Sequence, residues 1–190
     1  GAWRAMAGFR VEHSIQEVTT YARFDPDSPP IQAGIDNTDF LPSGNVAYSL
    51  SDTMQVRAAY GRTVSRPDFR EQSPATFFDV TGGRAVFGNP DLQRAILHNV
   101  DLRWEWYPQA GESVSVGFFA KRFVAPIEMV IVPSGGNPVT FANAESANNL
   151  GLELEGRKAL PAAPDFFVAG NLSLIRSRVT LAQGSGIQTS

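Results

Sequence analysis

Glu153 and Glu155 are the residues of this sequence whose types and spacing come closest to a catalytic pair. They stand two positions apart in an alternating segment, so both side chains project to the same face of a strand. Two neighbouring carboxyl groups can divide general acid and general base work between them. No other catalytic group accompanies them, and Ser65 and Ser73 have no plausible triad in the sequence. The pattern favours charges balanced by arginines, and no catalytic residue is predicted.

Candidate metal ligands are few and scattered. His13 and His98 are the only histidines, they lack the spacing of a metal-binding pair, and the sequence has no cysteine. The aspartates between positions 25 and 39 are too dispersed for a calcium loop, which also needs a closing Glu. The Gly82–Gly83 and Gly135–Gly136 pairs do not stand between a strand and a helix, as a phosphate-binding loop would require. No metal or cofactor site is predicted.

The longest stretch without clear periodicity, Ser65–Ala95, is the better candidate for binding. It mixes charged and aromatic side chains, and Arg beside aromatic residues is a common recipe for recognising sugars, chelates or peptides. A loop that folds upon itself would account for the same composition. The sequence does not name a ligand. The candidate ligand-binding residues are Arg66, Asp68, Arg70, Glu71, Phe77 and Phe78.

The candidate residues must be positioned by strands, and the segment Ile96–Phe123 shows the alternating pattern that predicts a strand. Apolar and polar residues alternate on both sides of a turn at Pro108–Glu112. A period of two indicates strands with two different faces, and the short turn makes them an antiparallel hairpin. One face is apolar and ends in Trp104 and Trp106. The polar face of this and the neighbouring strands would carry Gln55, Arg57, Asn99, Asp101, Arg103, Glu105, Glu153 and Glu155.

The remaining strands are predicted in the same way. The first runs from Trp3 to Phe24, and because its apolar positions change from odd to even, we expect a bulge near Ser14. Asp25–Phe40, rich in Pro and Asp, is predicted to be a loop. Further strands are expected at 46–50, 54–61, 150–155 and 166–174, with a small hairpin of Ile127–Val132 and Val139–Phe141 inside the irregular segment Val124–Asn148.

Short and long connections alternate strictly along the chain. The short ones are Ser51–Thr53, Pro108–Glu112 and Pro161–Asp165, and the long ones are Asp25–Phe40, Ser65–Ala95 and Val124–Asn148. In a meander this puts all short turns at one end and all long loops at the other, as in outer-membrane barrels. The predicted fold class is all-β, an antiparallel up-and-down meander that forms part of a transmembrane β-barrel. The apolar face would meet lipid, and the lumen-facing residues would be Asp101, Arg103, Glu105, Glu153 and Glu155.

Two alternatives remain open at this point. A soluble β-sandwich binding module would bury the apolar face and expose the polar one, and a period of two does not separate the two cases. A passive porin or adhesin would share the membrane barrel. A net charge of −3 gives no electrostatic support for binding nucleic acid. No apolar run approaches the roughly 18 residues of a membrane-spanning helix.

Four segments in order resemble the barrel of TonB-dependent outer-membrane receptors. The first, Val56–Glu71, is similar to a strand that rises into a loop through an Arg-Pro element. The second, Phe87–Gln93, is similar to the Gly-Asn-Pro-x-Leu motif that precedes the next strand. The others are Asn99–Tyr107 and the Gly-x-Glu-x-Glu-Gly strand at Gly151–Gly156. The sequence departs from the family at Arg94–Ala95, where Pro-Glu is common.

The resemblance implies a receptor with a barrel of roughly 22 strands, an N-terminal plug domain and a box that contacts TonB. Residues 1–190 would be a partial barrel domain of about seven strands, with the plug domain and the closing strands absent. The implied function is energised uptake of a scarce nutrient such as a siderophore, cobalamin or an oligosaccharide. The implied partners are outer-membrane lipid of a Gram-negative bacterium, the nutrient, and the TonB system through the plug. The resemblance implies no enzyme activity.

Overall fold

The structure, a computed structural model, describes residues 1–21, 27, 29–78, 83–160 and 163–181. A seven-stranded antiparallel sheet dominates it, in the order β1-β2-β3-β6-β7-β10-β11. This confirms the predicted all-β meander, and within the described residues the sheet is open at β1 and β11. Its strands are β1 (Trp3–Thr20), β2 (Ile31–Ser49), β3 (Met54–Ser65), β6 (Ala95–Trp106), β7 (Ser113–Val124), β10 (Ser146–Leu160) and β11 (Ala163–Thr180).

The connections confirm the predicted asymmetry. Residues 50–53 and 107–112 join β2 to β3 and β6 to β7, whereas residues 66–94 and 125–145 join β3 to β6 and β7 to β10. Residues 161–162 of the predicted Pro161–Asp165 turn lie outside the described residues, and the prediction is wrong from Ala163 onward, because β11 already begins there. The antiparallel order therefore puts the turns at one end of the sheet and the long connections at the other.

The first hairpin differs from the prediction. β1 and β2 pair without interruption from Trp3 opposite Tyr48 to Thr20 opposite Ile31. The bulge expected near Ser14 is therefore wrong. The predicted loop Asp25–Phe40 is also wrong over its second half, because β2 already begins at Ile31; residues 22–26 and 28 lie outside the described part of the chain.

A change of surroundings explains why the apolar positions of β1 change phase. Beyond Pro42 this hairpin rises above the sheet: β3 pairs with β2 only from Ser43 onward, and Pro lacks the N–H that would continue the ladder. On the raised part, the face that is apolar lower down carries exposed residues such as Glu17. The opposite face packs inward and buries Ala33, Ile35, Asp39 and Leu41. The strand stays regular while its apolar environment changes sides.

The register gives the large sheet two distinct faces. One row of directly opposed residues across β3, β6, β7, β10 and β11 is apolar: Val56, Trp104, Val116, Leu154 and Leu172. The adjacent row on the other face is polar: Gln55, Glu105, Ser115, Glu155 and Asn171. The apolar face is widely exposed, with Leu102 at 48% and Leu174 at 58%. An apolar face of this extent marks contact with lipid or another protein.

The two long connections join in a second sheet, ordered β4-β5-β9-β8. Strands β4 (Thr76–Phe78) and β5 (Ala85–Phe87) come from the first connection, β8 (Ile127–Ile131) and β9 (Val139–Asn143) from the second. The predicted small hairpin is confirmed as β8 and β9. The segment expected to be irregular also contains a short helix, α1 (Phe69–Gln72), which the sequence did not predict. None of the helices in the described residues is long and apolar enough to cross a bilayer.

Candidate functional site

A cavity of about 480 Å³ lies at the long-connection end of the sheet, on its polar face. The first long connection contributes Arg66, Asp68 and Glu71, and β8 in the second long connection contributes Glu128. The floor comes from the strands beneath, including Leu97, Phe123, Asn149 and Val179. Three of the six residues predicted to bind a ligand therefore line one cavity. Arg70, Phe77 and Phe78 lie outside this lining.

Arg66 is held in place by carboxylates from the raised hairpin. Its Nη1 lies 3.0 Å from Oε2 of Glu12, and its Nη2 lies 3.2 Å from Oδ2 of Asp39. The Asp39 side chain is fully buried, and its second oxygen accepts a 2.6 Å hydrogen bond from Nε of Arg94. Arg66 and Arg94 stand at the two ends of the first long connection. One buried carboxylate therefore fixes both ends of that connection to β2.

Asp68 and Glu71 have a clear local role. The Asp68 carboxylate accepts a 2.9 Å hydrogen bond from the N–H of Arg70, and the Glu71 carboxylate accepts one of 2.8 Å from the N–H of Asp68. This reciprocal pattern is a capping box, which satisfies donors at the start of a helix. It lets the four residues of α1 turn directly after the Arg-Pro element. Both carboxylates can still face the cavity with their remaining lone pairs.

The Gly-Asn-Pro motif packs directly against α1. A Cβ atom on Gly88 would lie within 2.6 Å of the carbonyl oxygens of Arg70, Glu71 and Ser73, so no larger residue fits without displacing the backbone. The N–H of Asn89 donates to the carbonyl of Glu71 at 2.6 Å. The Asn89 amide also donates to the carbonyl of Phe141 on β9 at 3.0 Å. The motif thus links α1 to the second sheet.

Of the remaining three predicted ligand residues, Arg70 and Phe77 are in contact and Phe78 follows directly in the chain. The Arg70 guanidinium sits 4.5 Å from the centre of the Phe77 ring, a cation–π arrangement. Phe78, the next residue of β4 after Phe77, is 71% exposed. Phe69, which the sequence analysis did not single out, is 61% exposed on α1. Charge and aromatic surface are therefore both accessible at this end of the molecule.

The polar face carries a chain of contacts at the short-turn end. Glu105 accepts a 2.7 Å hydrogen bond from Nε2 of Gln55 and lies 3.0 Å from Nε of Arg57. Its second oxygen lies 3.2 Å from Nε of Arg103, whose guanidinium also binds Glu155 and Ser115. The predicted polar residues Gln55, Arg57, Arg103, Glu105 and Glu155 thus form one network across β3, β6, β7 and β10.

Asp101 and Glu153 share this face but form no ion pair with any of the described residues. Each stands two positions from a member of the network, on β6 and β10 respectively. Within the described part of the chain, no group of three or more His, Asp or Glu side chains is placed to hold a metal ion. Asp101 and Glu153 therefore add negative charge to the polar face.

Sequence reasoning missed Asp39, Glu12 and Arg94. Composition places Asp39 in a predicted loop, so its position on the same strand face as Ile35 and Leu41 is not evident from the sequence. Arg94 stands out in the sequence only as a departure from the family pattern. A continuation of the strand alternation back through Pro42 would have placed Asp39 among buried neighbours, where a carboxylate requires a cationic partner.

Comparison with known proteins decides the family. The model of the TonB-dependent receptor-like β-barrel matches residues 1–189. This chain belongs to the TonB-dependent receptor β-barrel family. The family consists of receptors of the Gram-negative outer membrane, and the resemblance of this sequence to the family is thereby confirmed. No curated protein matches the sequence at a significant level.

Solved receptor structures share the fold of this receptor barrel. The siderophore receptor PirA from Pseudomonas aeruginosa superposes with a TM-score of 0.64 at 16% identity over 93% of this chain and 35% of its own. A mutant of the ferric enterobactin receptor PfeA from the same organism gives 0.57 at 18%, over 91% of this chain and 26% of its own. The hemophore receptor HasR of Serratia marcescens gives 0.50 at 10%, covering 91% and 37%. The chain thus spans about a third or less of the first two structures.

Proposed function

We propose that this chain is part of an outer-membrane receptor of a Gram-negative bacterium that takes up a scarce nutrient with energy supplied through TonB. The observation that carries the proposal is the cavity beneath the joined long connections, on the polar face of a receptor-family barrel. A ligand arriving from outside meets the long connections first and the cavity next. Siderophores, cobalamin and oligosaccharides are the nutrient classes, with the siderophore receptors among the structural neighbours supporting the first.

The six predicted residues divide between two roles in this proposal. Arg70, Phe77 and Phe78 offer a charged and aromatic surface for first contact, where stacking and cation–π interactions contribute to binding. Arg66, Asp68 and Glu71 shape the cavity wall and keep the surface residues in place. Glu128 joins them, because it lines the same cavity and forms no ion pair within the described residues.

The charge of the wall favours one type of ligand group. Three carboxylates, Asp68, Glu71 and Glu128, line the cavity beside one guanidinium, Arg66. That guanidinium already faces the carboxylates of Glu12 and Asp39. A neutral or cationic part of the ligand therefore fits this wall better than an anionic one, since like charges at short range disfavour binding.

The polar face supplies the partner surface. We expect Asp101 and Glu153, together with the network around Glu105, to face a water-filled lumen and the plug domain that the family resemblance implies. Residues 1–190 would then form one portion of the barrel domain, in line with the 35% of PirA that the chain covers. The plug would couple ligand binding in the loops to TonB.

Transport measurements on the full-length receptor test the proposal. The receptor is expressed in a strain without its own receptors, and uptake of labelled ferric siderophores, cobalamin and maltodextrins is followed with and without a functional TonB. We expect uptake of at least one class that disappears without TonB. Uptake or ion conductance that is the same without TonB would identify a passive porin instead.

A matched pair of variants tests the cavity. Glu128→Gln removes a carboxylate from the wall, whereas Asp91→Asn makes the same change at an exposed position outside the cavity lining. We expect Glu128→Gln to change the apparent affinity for the transported ligand about fivefold or more, as the loss of one charged hydrogen bond does. Equal effects of both variants would remove the cavity from the proposal.

A further inference from the structure

A row of basic side chains crosses the apolar face of the sheet at its long-connection end. Arg62 on β3 stands opposite His98 on β6, and His98 stands opposite Arg122 on β7. Arg122 is opposite Asn148 on β10, and Asn148 is opposite Arg178 on β11. Five neighbouring strands thus contribute one residue each to a single line. Arg176, two positions before Arg178, adds a fourth guanidinium to the same face.

No carboxylate offsets this row. Along the described parts of β3, β6, β7, β10 and β11, every Asp and Glu that the register assigns to a face lies on the polar one, at Asp101, Glu105, Glu153 and Glu155. Arg62, Arg122 and Arg178 form no ion pair with any of the described residues. The charges are therefore available to an external anion.

The height of the row matches a membrane boundary. Trp106, on the same face of β6 as His98, lies eight positions away at the short-turn end. That separation is about 27 Å along a strand and about 21 Å along the axis of a barrel whose strands tilt by about 40°. The apolar band of such barrels is about 25 Å tall and is bordered by aromatic residues. Trp106 then marks one border and the basic row the other.

An interfacial tyrosine supports the same border. The hydroxyl of Tyr60 lies 2.9 Å from Nδ1 of His98, and the two rings stack with their centres 6.2 Å apart. Tyr60 stands on the apolar face two positions before Arg62, and its hydroxyl reaches the row at His98. Tyrosines collect at membrane interfaces because one end of the side chain is apolar and the other is polar.

We propose that this row, Arg62, His98, Arg122, Asn148 and Arg178, binds the phosphate groups of lipids in the outer leaflet. Arg62 and Arg122 are two strands apart, as are Arg122 and Arg178, which places their backbones about 10 Å from one another. Guanidinium groups recognise phosphate through paired N–H donors. A lipid headgroup is the occupant because the row continues the lipid-facing surface and points away from the lumen. The proposal rests on the outer-membrane location but not on nutrient uptake.

Lipid binding by the full-length receptor tests this proposal. The receptor is held in an uncharged detergent, and native mass spectrometry compares its affinity for dioleoyl phosphatidic acid with that for dioleoyl phosphatidylcholine. The triple variant R62Q/R122Q/R178Q removes the row. The control R4Q/R84Q/K121Q removes three positive charges elsewhere, and Lys121 is the neighbour of Arg122 that faces the opposite side of the sheet.

We expect the parent and the control to prefer phosphatidic acid by about tenfold or more, because each basic side chain near an anionic lipid surface strengthens binding several-fold. The triple Gln variant loses that preference, and R62K/R122K/R178K retains part of it, which covers the case in which the Gln variant does not fold. An unchanged preference in the Gln variant, or an equal loss in the control, overturns the proposal. Competition by millimolar inorganic phosphate as strong as that by lipid overturns the lipid assignment. Nutrient uptake, measured separately, reports on the proposed function alone.

Discussion

Arg94 donates a 2.6 Å hydrogen bond from its Nε to Oδ1 of Asp39, a carboxylate that is fully buried beneath the first long connection. Arg66, from the other end of the same connection, approaches the second oxygen of that carboxylate. Burying a carboxylate is costly unless cationic partners compensate its charge, and here two guanidinium groups do so. The Asp39 carboxylate therefore holds both ends of the first long connection, residues 66–94, against β2.

Replacing Asp39 with Asn should loosen the first long connection. The substitution leaves two arginines facing a neutral group, and because both are partly exposed we expect a cost of about 2 kcal/mol in local stability. Hydrogen exchange of residues 66–94 should accelerate, while exchange in β6 and β7 stays unchanged. Asp36→Asn, on the exposed face of the same strand, is the control. Equal exchange in both variants would refute the role of Asp39.

The polar network should depend more on Glu105 than on Glu155. The Glu105 side chain is 10% exposed and faces three donor groups, whereas that of Glu155 is 47% exposed. We expect Glu105→Ala to lower the free energy of unfolding by about 2–3 kcal/mol, and Glu155→Ala by less than about 1 kcal/mol, the range of exposed pairs. Denaturant unfolding of the receptor in detergent measures both. A larger effect at Glu155 would contradict the assigned network.

Gly88 should tolerate no side chain. An added Cβ would meet three carbonyl oxygens at the end of α1, so Gly88→Ala must move backbone, at a cost of about 2 kcal/mol or more. Gly156→Ala is the control, because a Cβ there meets nothing within 4 Å. Limited proteolysis should cleave the 66–94 connection faster in the first variant only. Similar cleavage of both variants would show that the Gly-Asn-Pro motif does not hold α1.

The strands of the membrane part could be predicted from the sequence because each meets a single environment on each face. Leu102 and Trp104 alternate with Asp101 and Arg103, so the period of two is visible without the partner strands. The raised hairpin could not be predicted in this way. Its apolar side changes above Pro42, where the inward face is bound by Arg66 and Arg94, which are distant in sequence.

The candidate site was predicted in part for a similar reason. Arg66, Asp68 and Glu71 attracted notice through composition, and the structure places them on one cavity. Arg66 binds Glu12 and Asp39, which lie 54 and 27 positions away, and Arg94 lies 55 positions from Asp39, so no local pattern connects these residues. The basic row on the apolar face was also hidden, because its members occur once per strand and become a line only through the register.

The central claim is that the two faces of the sheet meet lipid and water, and one pair of neighbouring residues tests it most directly. The chain has no cysteine, so Leu102→Cys and Asp101→Cys introduce single reactive sites here on opposite faces of β6. In the full-length receptor in lipid vesicles, with any other cysteines replaced, a spin label is attached at each site. We predict that the label at position 102 is accessible to oxygen dissolved in lipid and the label at 101 to a water-soluble nickel chelate. Accessibility of both labels to the nickel chelate, or the reverse assignment, would contradict the account.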